Sequence, residues 1–160
     1  MTEAAISDPD GWRLAHIGHW LRLALERFDA RVMDIMTHHT GVPLALSNLA
    51  ARGQVGAAHI HITRHLATDG SRLTDLARRA GMSKQAMGTL VDQCEAWGMV
   101  IREADPADAR ARQVRFTATG LAWVGAYRQA VEQAELELRQ AIGDEVATVV
   151  SIGLEAYSGR

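Results

Sequence analysis

Leu73-Thr-Asp-Leu-Ala-Arg-Arg-Ala-Gly-Met-Ser-Lys-Gln-Ala-Met-Gly-Thr-Leu-Val-Asp92 is the stretch whose reading decides the fold. Leu76, Ala80, Met82, Met87 and Leu90 supply a shared core for two short helices crossing at a tight angle. Ala77 is small where the helices approach, and Gly81 sits in the turn, where a positive φ is easy for glycine. The pattern predicts helices over 73–80 and 83–97, with Ser83 as N-cap of the second and Gly98 as its stop. This register leaves Ser83, Lys84, Gln85, Gly88, Thr89 and Asp92 on the outer face of the second helix. Such a helix fits a major groove and offers donors and acceptors to base edges. A solvated helical hairpin with no ligand is the plainer reading of these two helices alone.

The next segment shifts the balance. Met99-Val-Ile-Arg-Glu103 is β-prone, Ala104-Asp-Pro-Ala-Asp-Ala-Arg-Ala111 is rich in turn residues, and Arg112-Gln-Val-Arg-Phe-Thr117 alternates polar and apolar. A β-hairpin with a long tip is predicted directly after the helix-turn-helix. Its tip carries Arg110, and its return strand carries Arg112 and Arg115, suited to phosphate and minor-groove contacts. Asp108 stands two residues before Arg110, where a charge-assisted bond would hold that side chain in place, and Pro106 stiffens the tip.

Working outward, residues 1–9 read as a frayed tail, and Asp8-Pro9-Asp10 starts a long helix running from Trp12 to about His38. Leu14, Ile17, Leu21 and Leu25 widen its apolar stripe beyond one core-facing side, which points to cover by a partner chain. Thr40-Gly-Val-Pro43 breaks it, and helices over 44–52 and 55–67 follow. After the hairpin, Thr117 or Thr119 caps a helix over 119–141, and Gly143 separates a last one over 145–158. The fold class expected is mainly α with a small β-hairpin. Residues 57–117 form the winged helix-turn-helix, and residues 10–56 and 118–160 form a helical dimerisation region.

The 160 residues are 48% hydrophobic, enough for a packed core. The single cysteine, Cys94, permits no internal disulfide. The first residues lack a basic, apolar leader, and no run of ~18 apolar residues is present, so a cytoplasmic chain with no membrane span is expected. A net charge of −2 argues at face value against a nucleic-acid binder, but the charge is unevenly spread. Residues 70–117 hold eight basic and six acidic side chains, against three and six in residues 118–160.

Two stretches, 73–83 and Leu90-Val-Asp-Gln-Cys-Glu-Ala-Trp-Gly-Met-Val100, resemble the MarR family of bacterial transcriptional regulators. The most specific match is Asp105-Pro-Ala-Asp-Ala-Arg110 followed by Val114-Arg-Phe-Thr-Ala-Thr-Gly120, similar to the family's Asp-Pro-x-Asp-x-Arg wing tip and downstream Leu-Thr-x-x-Gly. The resemblance covers about residues 57–120. It implies a homodimer with terminal helices of both chains in the dimer lobe. It also implies an inverted-repeat double-stranded DNA operator and, often, a small aromatic or phenolic effector bound between the lobes. The sequence departs from the family pattern at Thr89 and Ala109, where arginines are frequent, and at Phe116, where leucine is usual.

Seven histidines raise the question of metal, but only His61 and His65 have a helical i,i+4 spacing, and no HExxH or CxxC is present. The readings weighed for them are solvated or core-edge histidines, a loose metal site, and an effector pocket. His59 stands where related proteins often carry a pocket-facing polar residue, and His16 and Trp20 share a helix face able to meet it. Cys94 reads as core. No nucleophile elbow, phosphate-cradling loop or useful carboxylate pair is found, so no enzyme, no catalytic residue, no metal and no cofactor are predicted. The functional expectation is a DNA-binding transcriptional regulator, a repressor released by an aromatic or phenolic effector. Its DNA contacts would come from Ser83, Lys84, Gln85, Gly88, Thr89, Arg110 and Arg112, with Asp108 supporting the wing and His16, Trp20 and His59 at the effector. A metal- or redox-responsive regulator of the same fold, and a small helical enzyme or interaction module lacking DNA binding, are the alternatives.

Overall fold

A computed structural model describes residues 10–43, 46–48, 54, 55 and 57–159. The tail over 1–9 and most of the helix expected over 44–52 lie outside the described residues, although 46–48 are helical. The expected first helix begins later than the apolar pattern suggested. Gly11–Arg13 form a single 3-10 turn, and α1 spans Ile17–His38. The cause is local: His16 is extended, and its ring Nδ1 accepts the His19 N–H at 3.2 Å, capping the helix.

Helix α2 (Ala57–His65) leads to a two-residue strand β1 (Ser71–Arg72). Then come α3 (Leu73–Arg79) and α4 (Lys84–Ala96), the two helices of the expected motif. Their turn closes as the sequence predicts: Gly81 has φ +64, and the Met82 N–H bonds back to the Ala77 carbonyl at 2.9 Å. Gly98, at φ +70, ends α4 in the same way, with the Met99 N–H on the Cys94 carbonyl at 2.9 Å.

The hairpin differs from expectation in its tip. Strands β2 (Val100–Asp105) and β3 (Asp108–Phe116) pair antiparallel almost to the end, leaving Pro106 and Ala107 as the turn. Asp105 replaces a long loop by capping that turn: its carboxylate accepts the Ala107 N–H at 2.8 Å. β1 adds a third strand, pairing Ser71 with Val114 and Arg72 with Gln113, in the order β1-β3-β2. Two residues carry no alternation, so this strand was invisible in the sequence.

Helix α5 (Ala118–Ile142) starts at Thr117, whose Oγ1 accepts the Gly120 N–H at 3.0 Å and donates to the Gly98 carbonyl at 2.5 Å. Gly120 lies so close to the residue before β2 that an added Cβ would stand 2.0 Å from the Met99 carbonyl oxygen. Helix α6 (Asp144–Tyr157) completes the chain.

One core runs through the whole assembly, from Val32 and Met36 of α1 through Trp123 and Ala130 of α5 to Leu76, Met87, Val91 and Val100 of the winged part. Polar ties reinforce it. The Trp123 indole N–H donates to Thr63 at 3.1 Å, and Arg64 donates to Asp29 at 2.7 Å and to the Tyr127 hydroxyl at 3.1 Å. Arg31 of α1 grips Glu137 of α5 through two bonds of 2.7 and 2.9 Å. By contrast, the outer faces of α1 and α6 are uncovered: Ile17 is 78% exposed, Val149 70% and Tyr157 88%. Among the described residues, no helix is long and apolar enough to cross a membrane.

Candidate nucleic-acid interface

Helix α4 is amphipathic in the register expected. Met87, Leu90, Val91 and Cys94 are buried, while Ser83, Lys84, Gln85 and Thr89 are exposed. Ser83 caps the helix by accepting the Ala86 N–H at 3.1 Å. Thr89 donates its hydroxyl to the Gln85 carbonyl at 3.3 Å, leaving oxygen lone pairs outward. Gly88 is half-buried, and a Cβ there would make ordinary contact with Leu73 at 3.8 Å.

The charges around this helix are sorted. All six carboxylates of residues 70–117 sit within 4 Å of an arginine: Asp75 with Arg78, Asp92 and Glu95 with Arg102, Glu103 with Arg115, and Asp105 and Asp108 with Arg72. Among the described residues, Arg79, Lys84, Arg110 and Arg112 have no carboxylate within that distance. The modest excess of positive charge is therefore concentrated on the start of α4, the wing tip and one arginine beside β1, where Arg79 donates to Ser71.

Asp108 supports the wing differently from expectation. Its carboxylate accepts the backbone N–H of Arg110 at 3.0 Å and lies 3.9 Å from Arg72, so the Arg110 side chain is not held by it. A carboxylate two residues upstream reaches the peptide N–H more readily than a long side chain pointing away. Arg72 also bonds Asp105 at 2.6 Å, and this bond, with the Ala107 N–H, holds the Asp105 carboxyl below its ordinary range. Arg72 and Arg102 were both missed from sequence, since their partners lie in other elements.

The three residues expected at an effector are not gathered in one place. His59 is buried; its Nε2 is 2.7 Å from Gln93 Oε1, and its ring centre is 4.7 Å from that of Trp97. His16 caps α1 and Trp20 lies beyond it on that helix. A groove of about 520 Å³ between α1 and α5 is lined by Trp20, Phe28, Leu138 and Ile142, but by neither His16 nor His59. The His61 side chain lies outside the described residues, and among those described no group of three or more metal-ligating side chains converges. Cys94 is fully buried, and burial pushes its thiol up to about 12, the opposite of what a redox sensor requires.

Residues 54–111 match the model of the MarR family. No curated protein matches the chain. Among solved structures it is similar to the transcriptional repressor CouR bound to a 23-mer DNA duplex, with 19% identity, a TM-score of 0.68, and 94% of this chain and 97% of that chain covered. It is also similar to apo wild-type MarR from E. coli, with 18% identity, a TM-score of 0.63 and coverage of 88% and 96%. A third is BpsR from Bordetella bronchiseptica, whose DNA binding is regulated by 6-hydroxynicotinic acid, with 19% identity, a TM-score of 0.64 and coverage of 92% and 96%. At such identities the structural likeness is one of fold. Residues 54–111 thus match the MarR family model, within a chain whose winged-helix fold is similar to that of these structures along nearly its whole length.

Proposed function

We propose that this protein is a sequence-specific DNA-binding transcriptional regulator, acting as a homodimeric repressor. The observation that carries this reading is the sorting of charge: every carboxylate of residues 70–117 lies within 4 Å of an arginine, while Lys84 on α4 and Arg110 and Arg112 on the wing face outward without a carboxylate partner among the described residues. Helix α4 enters the major groove, with Lys84, Gln85 and Thr89 at base edges and phosphates and Gly88 allowing close approach. Arg110 reaches the flanking minor groove, with Arg112 on the adjoining phosphates. Ser83 and the start of the helix favour a phosphate oxygen.

Homodimerisation accounts for the apolar faces of α1 and α6, which a single chain leaves in water. Two copies then place two α4 helices on half-sites of an inverted repeat, about one helical turn apart. The division of labour follows: residues 57–117 read DNA, and residues 10–56 and 118–160 hold the dimer. Release by a small aromatic or phenolic effector is the regulatory part of the proposal, with His59 beside Trp97 and Trp20 in the groove between α1 and α5 as two separate places to test for it. The similarity to BpsR, regulated by an aromatic acid, supports that class of ligand.

Selection from a random-sequence duplex pool tests the core of this reading, and an inverted repeat is the expected product. Recovery of no enriched sequence would refute it. Arg110→Ala should then weaken binding and reduce the slope of log K against log salt by about 0.9, the loss of one neutralised phosphate. Calorimetry with a panel of aromatic acids on wild type and His59→Ala tests the effector site; equal binding by both proteins removes His59 from it.

A further inference from the structure

Among the described residues, every side-chain hydrogen bond between the recognition helix α4 and the wing runs through Arg102 of β2. Its guanidinium forks, one arm reaching Asp92 at 2.5 Å and the other reaching Glu95. Its backbone N–H donates to the second oxygen of Glu95 at 3.2 Å. One residue thus holds two turns of α4 from a single point on the strand, through three bonds. The arginine side chain is 23% exposed and Asp92 is 69% exposed, so the fork emerges at the surface rather than filling the core. Asp92 continues the stripe of Gln85 and Thr89, three residues beyond Thr89 on the same outward face. The fork therefore ends on the stripe that faces DNA.

We propose that Arg102 is a positioning residue for sequence recognition, fixing the wing to the recognition helix so that Arg110 and the Lys84–Thr89 face meet DNA at one set spacing. The proposal rests on the DNA-binding reading for its functional consequence, and on the fork itself for its structural one. Helix and wing contact different grooves, and a displacement of either by an ångström changes which base steps both can reach together. Besides the fork, Val91, Cys94 and Val100 share the buried core, and the Met99 N–H on the Cys94 carbonyl closes the turn between the two elements. The fork also covers two carboxylates that would otherwise face phosphates. Arginine suits this geometry because its planar fork directs separate N–H groups at fixed angles to the two carboxylates, whereas a lysine offers one compact ammonium on a flexible stem.

The test uses the full-length protein and Arg102→Lys, which keeps the charge and removes the fork. Hydrogen exchange of the β2 and β3 amides should rise several-fold in the variant, with the thermal midpoint close to wild type. Affinity for a duplex recovered by random-pool selection should fall about tenfold relative to a shuffled duplex of the same composition. Affinity for the shuffled duplex and its salt slope should hold. A drop in salt slope would overturn the proposal in favour of a direct phosphate contact, and unchanged exchange with an unchanged affinity ratio would overturn it outright. If the wild type selects no duplex, the DNA-binding reading fails, and the exchange measurement alone decides whether the fork fixes the wing. Asp92→Asn, at an exposed site, removes only the outer arm and should shift exchange and affinity ratio in the same direction by a smaller amount. It keeps the test decisive should Arg102→Lys fold poorly.

Discussion

Gly120→Ala is the substitution for which the structure sets the sharpest expectation. A methyl at this position would lie 2.0 Å from the Met99 carbonyl oxygen and 3.0 Å from the Phe116 ring, both well inside normal contact. The helix start and the Met99 backbone must separate by about an ångström to admit it, an overpacking cost of about 1–3 kcal/mol. That carbonyl also accepts the Thr117 N–H at 3.0 Å and the Thr117 hydroxyl at 3.2 Å, so retreat disturbs the cap of α5 for about 1 kcal/mol more. The expected loss is about 2–4 kcal/mol. Gly125 is the internal control: it lies five residues later in the same helix, exposed, with nothing within 4 Å of an added Cβ. Gly125→Ala should stabilise by about 0.5–1 kcal/mol through helix propensity alone. Urea denaturation followed by circular dichroism, at one fixed protomer concentration because the proposed association would add to apparent stability, gives both values. A Gly120→Ala protein as stable as wild type would refute the claim that α5 and Met99, just before β2, meet at backbone contact.

Three further expectations follow from the same geometry. Arg31 and then Gln133 hold the Glu137 carboxyl down to about 2, so the unfolded chain binds that proton more readily and the pair stabilises above the ordinary carboxylate pKa. That contribution should fade as pH falls from about 4.5 toward about 2, and Glu137→Gln should flatten this part of the pH–stability curve; an unchanged curve contradicts the assignment. The buried Cys94 thiol, raised to about 12, should stay inert to a thiol reagent at neutral pH until denaturant is added, and labelling of the native protein would contradict the packing. Val149→Glu, on the open face of α6, should shift sedimentation toward monomer while leaving helix content intact; a persistent dimer would place the interface elsewhere.

The parts of the fold that sequence revealed are those governed by local rules. Gly81 and Gly98 adopt positive φ and Ser83 caps α4, because turn and cap chemistry act over three or four residues. The Ser83–Thr89 face was legible for the same reason: burying Met87, Leu90, Val91 and Cys94 leaves one stripe outward. The wing tip misled because Asp-Pro-Ala-Asp has the composition of a loop, whereas Asp105 folds back on Ala107 and shortens it to two residues. At the other end of the chain, apolar residues from Trp12 continued a helical period that a histidine cap interrupts at position 16. The forks of Arg72 and Arg102 could not be read, since an arginine's partner is set by which elements the fold brings together. His59 shows both limits at once: its placement on α2 followed from periodicity, but its bond to Gln93 and its contact with Trp97 did not.

The distribution of the four tryptophans gives the protein a built-in optical readout. Trp123 is sealed in the shared core with its indole N–H on Thr63, Trp97 closes α4 against His59, and Trp12 and Trp20 stand in water on the uncovered face. If the proposed dimer covers that face, dilution below its dissociation constant should red-shift only the emission of Trp12 and Trp20, whereas denaturant moves that of Trp123. Comparing Trp123→Phe with a Trp12→Phe/Trp20→Phe double variant separates loss of the partner from loss of the fold, without any attached dye.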